Sequence, residues 1–186
     1  RDQDMWRLSG IFREVQLWVR PLVHIADYRV TAEPNTDYSQ AKVKAVISIC
    51  NTGKKKTKVR PSMEIDGKAS MTELLVNAGD TINCIFDYTL ENPRLWSAEK
   101  PHLYPFSIEM KDDHGSTIEH FDYHLGVKRV ECVGEVFKIN GQNVKLRGVN
   151  RHDHHPLTGR FVDDATYEQD IRLMKQANIN FLRTYL

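Results

Sequence analysis

From Val23 to Gly126 apolar residues return at every second position, segment after segment, and this rhythm confines the chain to extended structure. Val43, Ala45, Ile47 and Ile49 alternate with Lys42, Lys44, Val46 and Ser48, the period of two that a strand with one buried face requires. Asn51-Thr52-Gly53 closes that segment. The alternation resumes from Val59 to Ile65 and stops at Asp66-Gly67, a dipeptide suited to a type I′ hairpin because both residues tolerate positive φ. Ile82, Cys84, Phe86, Tyr88 and Leu90 share one face of a later strand, and Tyr104, Phe106, Ile108 and Met110 repeat the pattern before a turn at Asp112 to Gly115. About seven strands at this spacing, with no helical pattern between them, predict an immunoglobulin-like antiparallel β-sandwich. Its core is expected to hold Val43, Ile47, Ile49, Phe86, Tyr88, Phe106 and Ile108.

After Gly126 the character changes. Val136 to Ile139, the turn Asn140-Gly141 and Val144 to Leu146 read as a hairpin whose second arm runs on into Arg147-Gly148-Val149-Asn150. The period then lengthens: Asp163 or Asp164 can cap a helix in which Tyr167, Ile171, Met174 and Ala177 fall three and four residues apart, forming one apolar stripe. Ile179 to Arg183 follows as a second strand. Strand, helix and strand make a βαβ unit, which sets the two strands parallel and the crossover right-handed. One such unit cannot bury both faces of its strands, so it reads as the opening of a larger α/β fold. The chain is therefore expected to be mainly β: a sandwich over 22–126, then a partial (β/α) barrel unit over 127–186.

Charge excludes two classes of partner. With 26 basic against 25 acidic residues, no electrostatic footprint for a phosphate backbone or an anionic membrane is present, so neither nucleic acid nor membrane is expected. No stretch approaches the roughly 20 apolar residues of a spanning helix, and the N-terminus lacks the pattern of a signal peptide. The opening residue is Arg1 rather than methionine, which marks the true N-terminus as missing or processed. Cys50, Cys84 and Cys132 are an odd set without CxxC spacing and read as reduced, structural thiols. This leans towards a reducing compartment, with cytoplasm and periplasm both left open.

The most unusual local composition is RGVNRHDHHP, residues 147–156. His152, Asp153, His154 and His155 are chemically fit to ligate zinc, but adjacent residues on a strand or loop point in different directions, which favours hydrogen-bonding roles over a metal site. Position gives a sharper reading. In a parallel barrel the C-terminal ends of the strands surround the active site. His152 follows the first strand and Arg183 ends the second, so the two side chains can serve one pocket; a solvated loop histidine and a surface arginine are the plainer alternative.

RGVNRHDHHP resembles the opening of the catalytic barrel in β-galactosidases of glycoside hydrolase family two. Three more segments agree in order. DQDMWRLSGIFREV, residues 2–15, resembles the end of the family's sugar-binding jelly-roll domain; NPRLWSAEKPHLY, residues 92–104, resembles the stretch before the last strands of its immunoglobulin-like domain. DIRLMKQANINFLR, residues 170–183, is similar to the first barrel helix and second strand. The resemblance thus implies a fragment of a retaining β-galactosidase: jelly-roll end over 1–21, sandwich over 22–126, barrel opening over 127–186. HHP after RHD favours galactosidases over the glucuronidase branch.

The resemblance also implies roles. His152 matches a histidine that contacts the galactosyl group and helps to stabilise the transition state, and Arg183 an arginine that supports the site from beneath. Asp4 matches an aspartate that touches the sugar and binds sodium; the parent enzyme is expected to use magnesium and sodium, and the fragment to bind no cofactor. The family's next motif, histidine, tyrosine and proline, does not follow; the chain reads Thr184-Tyr185-Leu186, with Tyr185 where the family has a small residue. A retaining glycosidase needs two carboxylates about 5 to 5.5 Å apart, and Glu131, Glu135 and Glu168 fall where no such dyad is expected. Trp96 and Tyr104 read as packing residues rather than sugar platforms, while Trp6 adjoins Asp4 and is expected near the sugar. The fragment is therefore expected to be inactive, its sandwich a spacer between domains, with a galactoside as the parent's substrate. Its barrel unit is expected to pack on the sandwich or self-associate. The alternatives are a stand-alone carbohydrate-binding or interaction module, or a β-glucuronidase-like relative.

Overall fold

The structure is a computed structural model that describes residues 10–11 and 13–185, Tyr185 by its backbone alone. Asp4, Trp6 and Leu186 lie outside the described residues. The chain divides into two units: one spans Val19–Val144, and the other joins the residues from Lys145 onward to an N-terminal segment ending at Trp18.

The first unit begins with eight strands: β1 (Val23–Pro34), β2 (Gln40–Asn51), β3 (Thr57–Ile65), β4 (Lys68–Met71), β5 (Leu74–Val76), β6 (Thr81–Glu91), β7 (Tyr104–Asp112) and β8 (Thr117–Leu125). They form two antiparallel sheets. One has the order β1-β2-β6; the other has the order β4-β3-β7-β8, with β5 also on β3. The count exceeds seven because β4 and β5 are two pieces of one interrupted edge, pairing with Ser62–Ile65 and Thr57–Val59 of β3. Pro61, which has no N–H to give to a ladder, falls in the gap between them. The turn after β3 has Asp66 at φ 54° and Gly67 at φ 68°, the two positive values that a type I′ turn needs.

The alternation seen in the sequence becomes the core. Ala41, Val43, Ala45, Ile47 and Ile49 of β2 are all fully buried, and Val59, Met63 and Ile65 of β3 and Phe106, Ile108 and Met110 of β7 join them. Tyr88 departs from its expected place: it is only partly buried and packs at the margin of the cluster. Its hydroxyl is the reason, since a phenol needs a polar neighbour, and Lys68 supplies one, with Nζ 5.5 Å from the ring centre. The hydrogen bond that the Lys68 ammonium donates to the Tyr88 hydroxyl holds its pKa above the ordinary value.

A short sheet completes this unit: β9 (Val130–Val133), β10 (Val136–Ile139) and β11 (Gln142–Asn143), in the order β11-β10-β9. The hairpin therefore has a strand before it that periodicity did not reveal. Its second arm is Gln142–Asn143, ending before the expected Val144–Leu146, with Asn140 at φ 50° in the turn.

The second unit holds β12 (Gly148–His152), α1 (Asp164–Gln176) and β13 (Phe181–Tyr185). β12 and β13 pair in parallel, as a βαβ unit demands, with Gly148 opposite Phe181 and His152 opposite Tyr185. β13 starts two residues after the predicted Ile179, because Asn178 turns at φ 57° and the Asn180 side chain binds the backbone of Lys145 and Arg147 instead of joining a ladder. Asp163 is the helix cap, accepting from Thr166 N at 2.9 Å. The predicted apolar stripe is not fully buried: Tyr167 and Met174 are half-buried, Ile171 is 44% exposed, and Ala177 is the C-terminal cap rather than part of the helix. Among the described residues no helix is long and apolar enough to cross a membrane.

Candidate functional site

The site is built where β12 ends. Gly148 leaves room for a neighbour's ring: a Cβ there would meet Phe181 Cδ1 at 2.6 Å, so a larger residue would force the Phe181 side chain to move. Paired residues of neighbouring strands project to the same face. Asn150 pairs with Arg183 and His152 with Tyr185, so Arg183 shares a face with Asn150 and His152 and lies two residues, about 6.6 Å, behind His152. Both His152 and Arg183 are exposed on this surface. His152 is the last residue of β12 rather than the first of the following loop.

The residues on either side of His152 face the other way. The Arg151 side chain is only 9% exposed, and its guanidinium lies 4.5 Å from the Tyr167 ring on α1. It donates through Nε and Nη2 to Asp170 Oδ2 at 2.8 Å, and through Nη1 to Asp153 Oδ1. Burial works against the charge of this guanidinium, and the hydrogen bonds to Asp170 and Asp153 outweigh it, so its pKa lies above the ordinary arginine value. The second oxygen of Asp153 accepts from the Tyr167 hydroxyl at 2.9 Å and from Arg13 Nη2 at 3.1 Å, and Arg13 also donates to the Tyr167 hydroxyl at 3.2 Å. Sequence reading did not single out Arg151, Tyr167 and Asp170 as one group. Part of the signal was present in the spacing: 167 and 170 are three apart on a helix and so share a face, while Asp153 lies just past the end of β12 and its approach to Arg151 was not given by alternation.

The other members of the motif separate in role. His155 orders its own loop: its Nδ1 accepts from the backbone N–H groups of Leu157 and Thr158, each at 3.3 Å, and its backbone pairs with Gly159. Among the described residues no three His, Cys, Asp or Glu side chains are arranged to hold a metal ion. Asp4, the expected sodium ligand, lies outside the described residues.

The remaining candidates belong to the architecture. Trp96 donates its backbone N–H to Val127 O at 2.8 Å, accepts from Asn140 Nδ2 at 2.9 Å, and has Lys128 Nζ 4.1 Å from its ring centre. Tyr104 is buried, and its hydroxyl accepts from Arg94 N at 2.7 Å. Both arrangements are packing. Glu131 is ion-paired with Arg129 at 3.1 Å and Glu168 with Arg172 at 3.4 Å.

Residues 23–128 match the family described as Glycosyl hydrolases family 2, and residues 130–185 match Glycosyl hydrolases family 2, TIM barrel domain. Among solved structures the chain is similar to beta-glucuronidase 2 of Bacteroides uniformis, with a TM-score of 0.80 and 22% identity over 88% of this chain and 21% of that one. A GH2 beta-galacturonidase from Eisenbergiella tayi gives 0.78 and 20% identity, over 89% of this chain and 29% of that one. The exo-chitosanase CsxA of Amycolatopsis orientalis gives 0.78 and 16%, over 89% and 20%. At these identities the likeness is one of fold, and the chain spans between a fifth and a third of the length of these structures.

Proposed function

Since the chain belongs to the glycosyl hydrolases family 2, we propose that it is the middle of a retaining β-galactosidase, joining the end of a sugar-binding domain to the opening of the catalytic barrel. The observation that carries this is the motif RGVNRHDHHP, which runs along β12 and past its end, with His152 at the strand's C-terminal end and Arg183 on the same face of the parallel pair. His152 then contacts the galactosyl group, where an imidazole can hydrogen-bond a sugar hydroxyl more strongly as charge develops, and Arg183 supports it from behind. Asp4 touches the sugar and holds sodium, and the whole enzyme uses sodium and magnesium. The two carboxylates that protonate the leaving group and form the glycosyl intermediate lie outside this chain, so the chain alone does not turn over substrate. The sandwich serves as the spacer.

A second reading, a β-glucuronidase or galacturonidase, is supported by the names of the solved structures that share the fold. A uronic acid carries a carboxylate, and its recognition calls for a cation beside the sugar. One experiment separates the readings. The full-length enzyme containing this sequence is assayed on nitrophenyl β-galactoside and nitrophenyl β-glucuronide, with the isolated chain beside it. Cleavage of the galactoside by the full-length enzyme alone is expected. Preference for the glucuronide moves the assignment to the second reading, and turnover by the pure chain overturns the placement of the catalytic groups. Isothermal titration of the chain with galactose and lactose should show no heat; binding would instead make it a carbohydrate-binding module.

A further inference from the structure

Arg151 and Asp153 flank His152 in sequence, and both are held to the same helix. Arg151 and His152 are successive residues of β12 and project to opposite sides, and Asp153, just past the strand, is tied to Arg151, so contacts that fix residues 151 and 153 also fix the direction of the residue between them. The fixing is thorough. Arg151 grips Asp170 and Asp153 at once and stacks on Tyr167, and Tyr167 closes the ring by donating to Asp153. Tyr167 and Asp170 sit three residues apart on one face of α1, and Asp163 caps the helix that carries them. Each of the four side chains bonds to another member of the ring, and the planar fork of an arginine is the side chain able to hold two carboxylates in fixed relative positions.

We propose that Arg151, with Tyr167, acts as a positioning residue for the glycosidase reaction: the ring through Asp153 and Asp170 clamps the end of β12 to α1 and aims His152 at the sugar. This rests on the reading of His152 as a sugar contact. The clamp turns helix packing into catalytic geometry. A hydrogen bond to a sugar hydroxyl that strengthens in the transition state rewards a donor already held in place, and displacement by about 1 Å costs on the order of 100-fold in rate. An arginine that served stability alone would have no reason to act through its neighbour.

The test is a double-mutant cycle in the full-length enzyme, read on whichever nitrophenyl glycoside that enzyme hydrolyses. Arg151→Met is expected to lower kcat by about 10- to 100-fold with little change in KM. Tyr167→Phe, which keeps the ring and removes the donor to Asp153, should give a smaller loss in the same direction. His152→Ala should lower kcat by itself, and the double variant Arg151→Met/His152→Ala should be no slower than His152→Ala alone, because a positioning residue has nothing left to aim. If Arg151→Met does not fold, Arg151→Lys takes its place: the charge remains, the double grip is lost, and kcat should fall to an intermediate value. Losses that multiply in the double variant, or a folded Arg151 variant with unchanged kcat, overturn the clamp while leaving His152 in its role. If His152→Ala itself leaves kcat and KM unchanged, the reading on which the clamp rests fails as well, and the two failures are thereby distinguished.

Discussion

Asn51 is fully buried at the end of β2, and its amide is matched on all sides: Nδ2 donates to Lys55 O at 2.8 Å and Val76 O at 3.0 Å, and Oδ1 accepts from Gly53 N at 2.9 Å. It is the single buried polar residue among those described, and it ties the loop after β2 to the end of β5. Replacement by leucine leaves three backbone groups without their partner and is expected to cost about 2 to 3 kcal/mol in a denaturant titration. A loss near zero would mean that water takes over the amide's role. Phe106 of β7 is 3% exposed, and Phe106→Ala should cost roughly 3 to 5 kcal/mol by cavity formation. A loss below about 1 kcal/mol would place the ring outside the core.

At the level of elements, the sandwich has an edge to close. β1 and β8 are edge strands of different sheets, and β1 carries a register shift between Ile25 and Asp27. There the Ile25 N–H leaves the ladder and donates to Glu119 Oε2 of β8 at 2.6 Å, while Arg20 donates to Glu119 Oε1 and to Ile25 O. A bulge is thus turned into a cross-sheet tie. Glu119→Ala should cost about 2 kcal/mol and speed amide exchange at Ile25 above its neighbours; unchanged exchange there would show that the tie does not form in solution. The helix offers a pH test. The hydrogen bond from Thr166 holds the Asp163 carboxyl below its ordinary pKa of 3.8. A depressed folded value means stability that is present above the unfolded pKa and lost as pH falls through the folded one. The α1 amide signals are therefore expected to weaken as pH drops below about 3.8, and Asp163→Asn, which caps without titrating, should flatten that limb. Identical acid profiles for the two proteins would count against the cap.

At the scale of the whole molecule, burial is uneven. The connected apolar core lies entirely within residues 23–127, whereas in the second unit Val162 is the one buried apolar residue among those described. Ile171, Leu173 and Phe181 remain exposed, and β12 and β13 form a two-stranded sheet. Apolar surface and strand edges of this kind favour association. Sedimentation velocity should show concentration-dependent self-association of the chain, reduced by Phe181→Lys; a monomer at every concentration would refute it.

The sequence by itself determined what depends on near neighbours. Period-two alternation placed Val43, Ile47 and Ile49 on the buried face, Asp66-Gly67 set its turn, Asp163 capped α1, and the order strand, helix, strand implied the parallel pairing of β12 with β13. Each follows from the local geometry of backbone and side chain. It also placed His152 beside the end of β12, where it stands, but Arg183 at the end of a strand in which it is the middle residue, because β13 starts and stops two residues later than the alternation suggests. What tertiary structure decided was the choice of distant partner. Tyr88 at the core margin beside Lys68, Glu119 across the sandwich edge, Asn51 in its loop and Arg151 on α1 join positions far apart along the chain. Periodicity says which face a residue occupies; it does not say which other residue will stand opposite, because that depends on how separate strands and helices align in space.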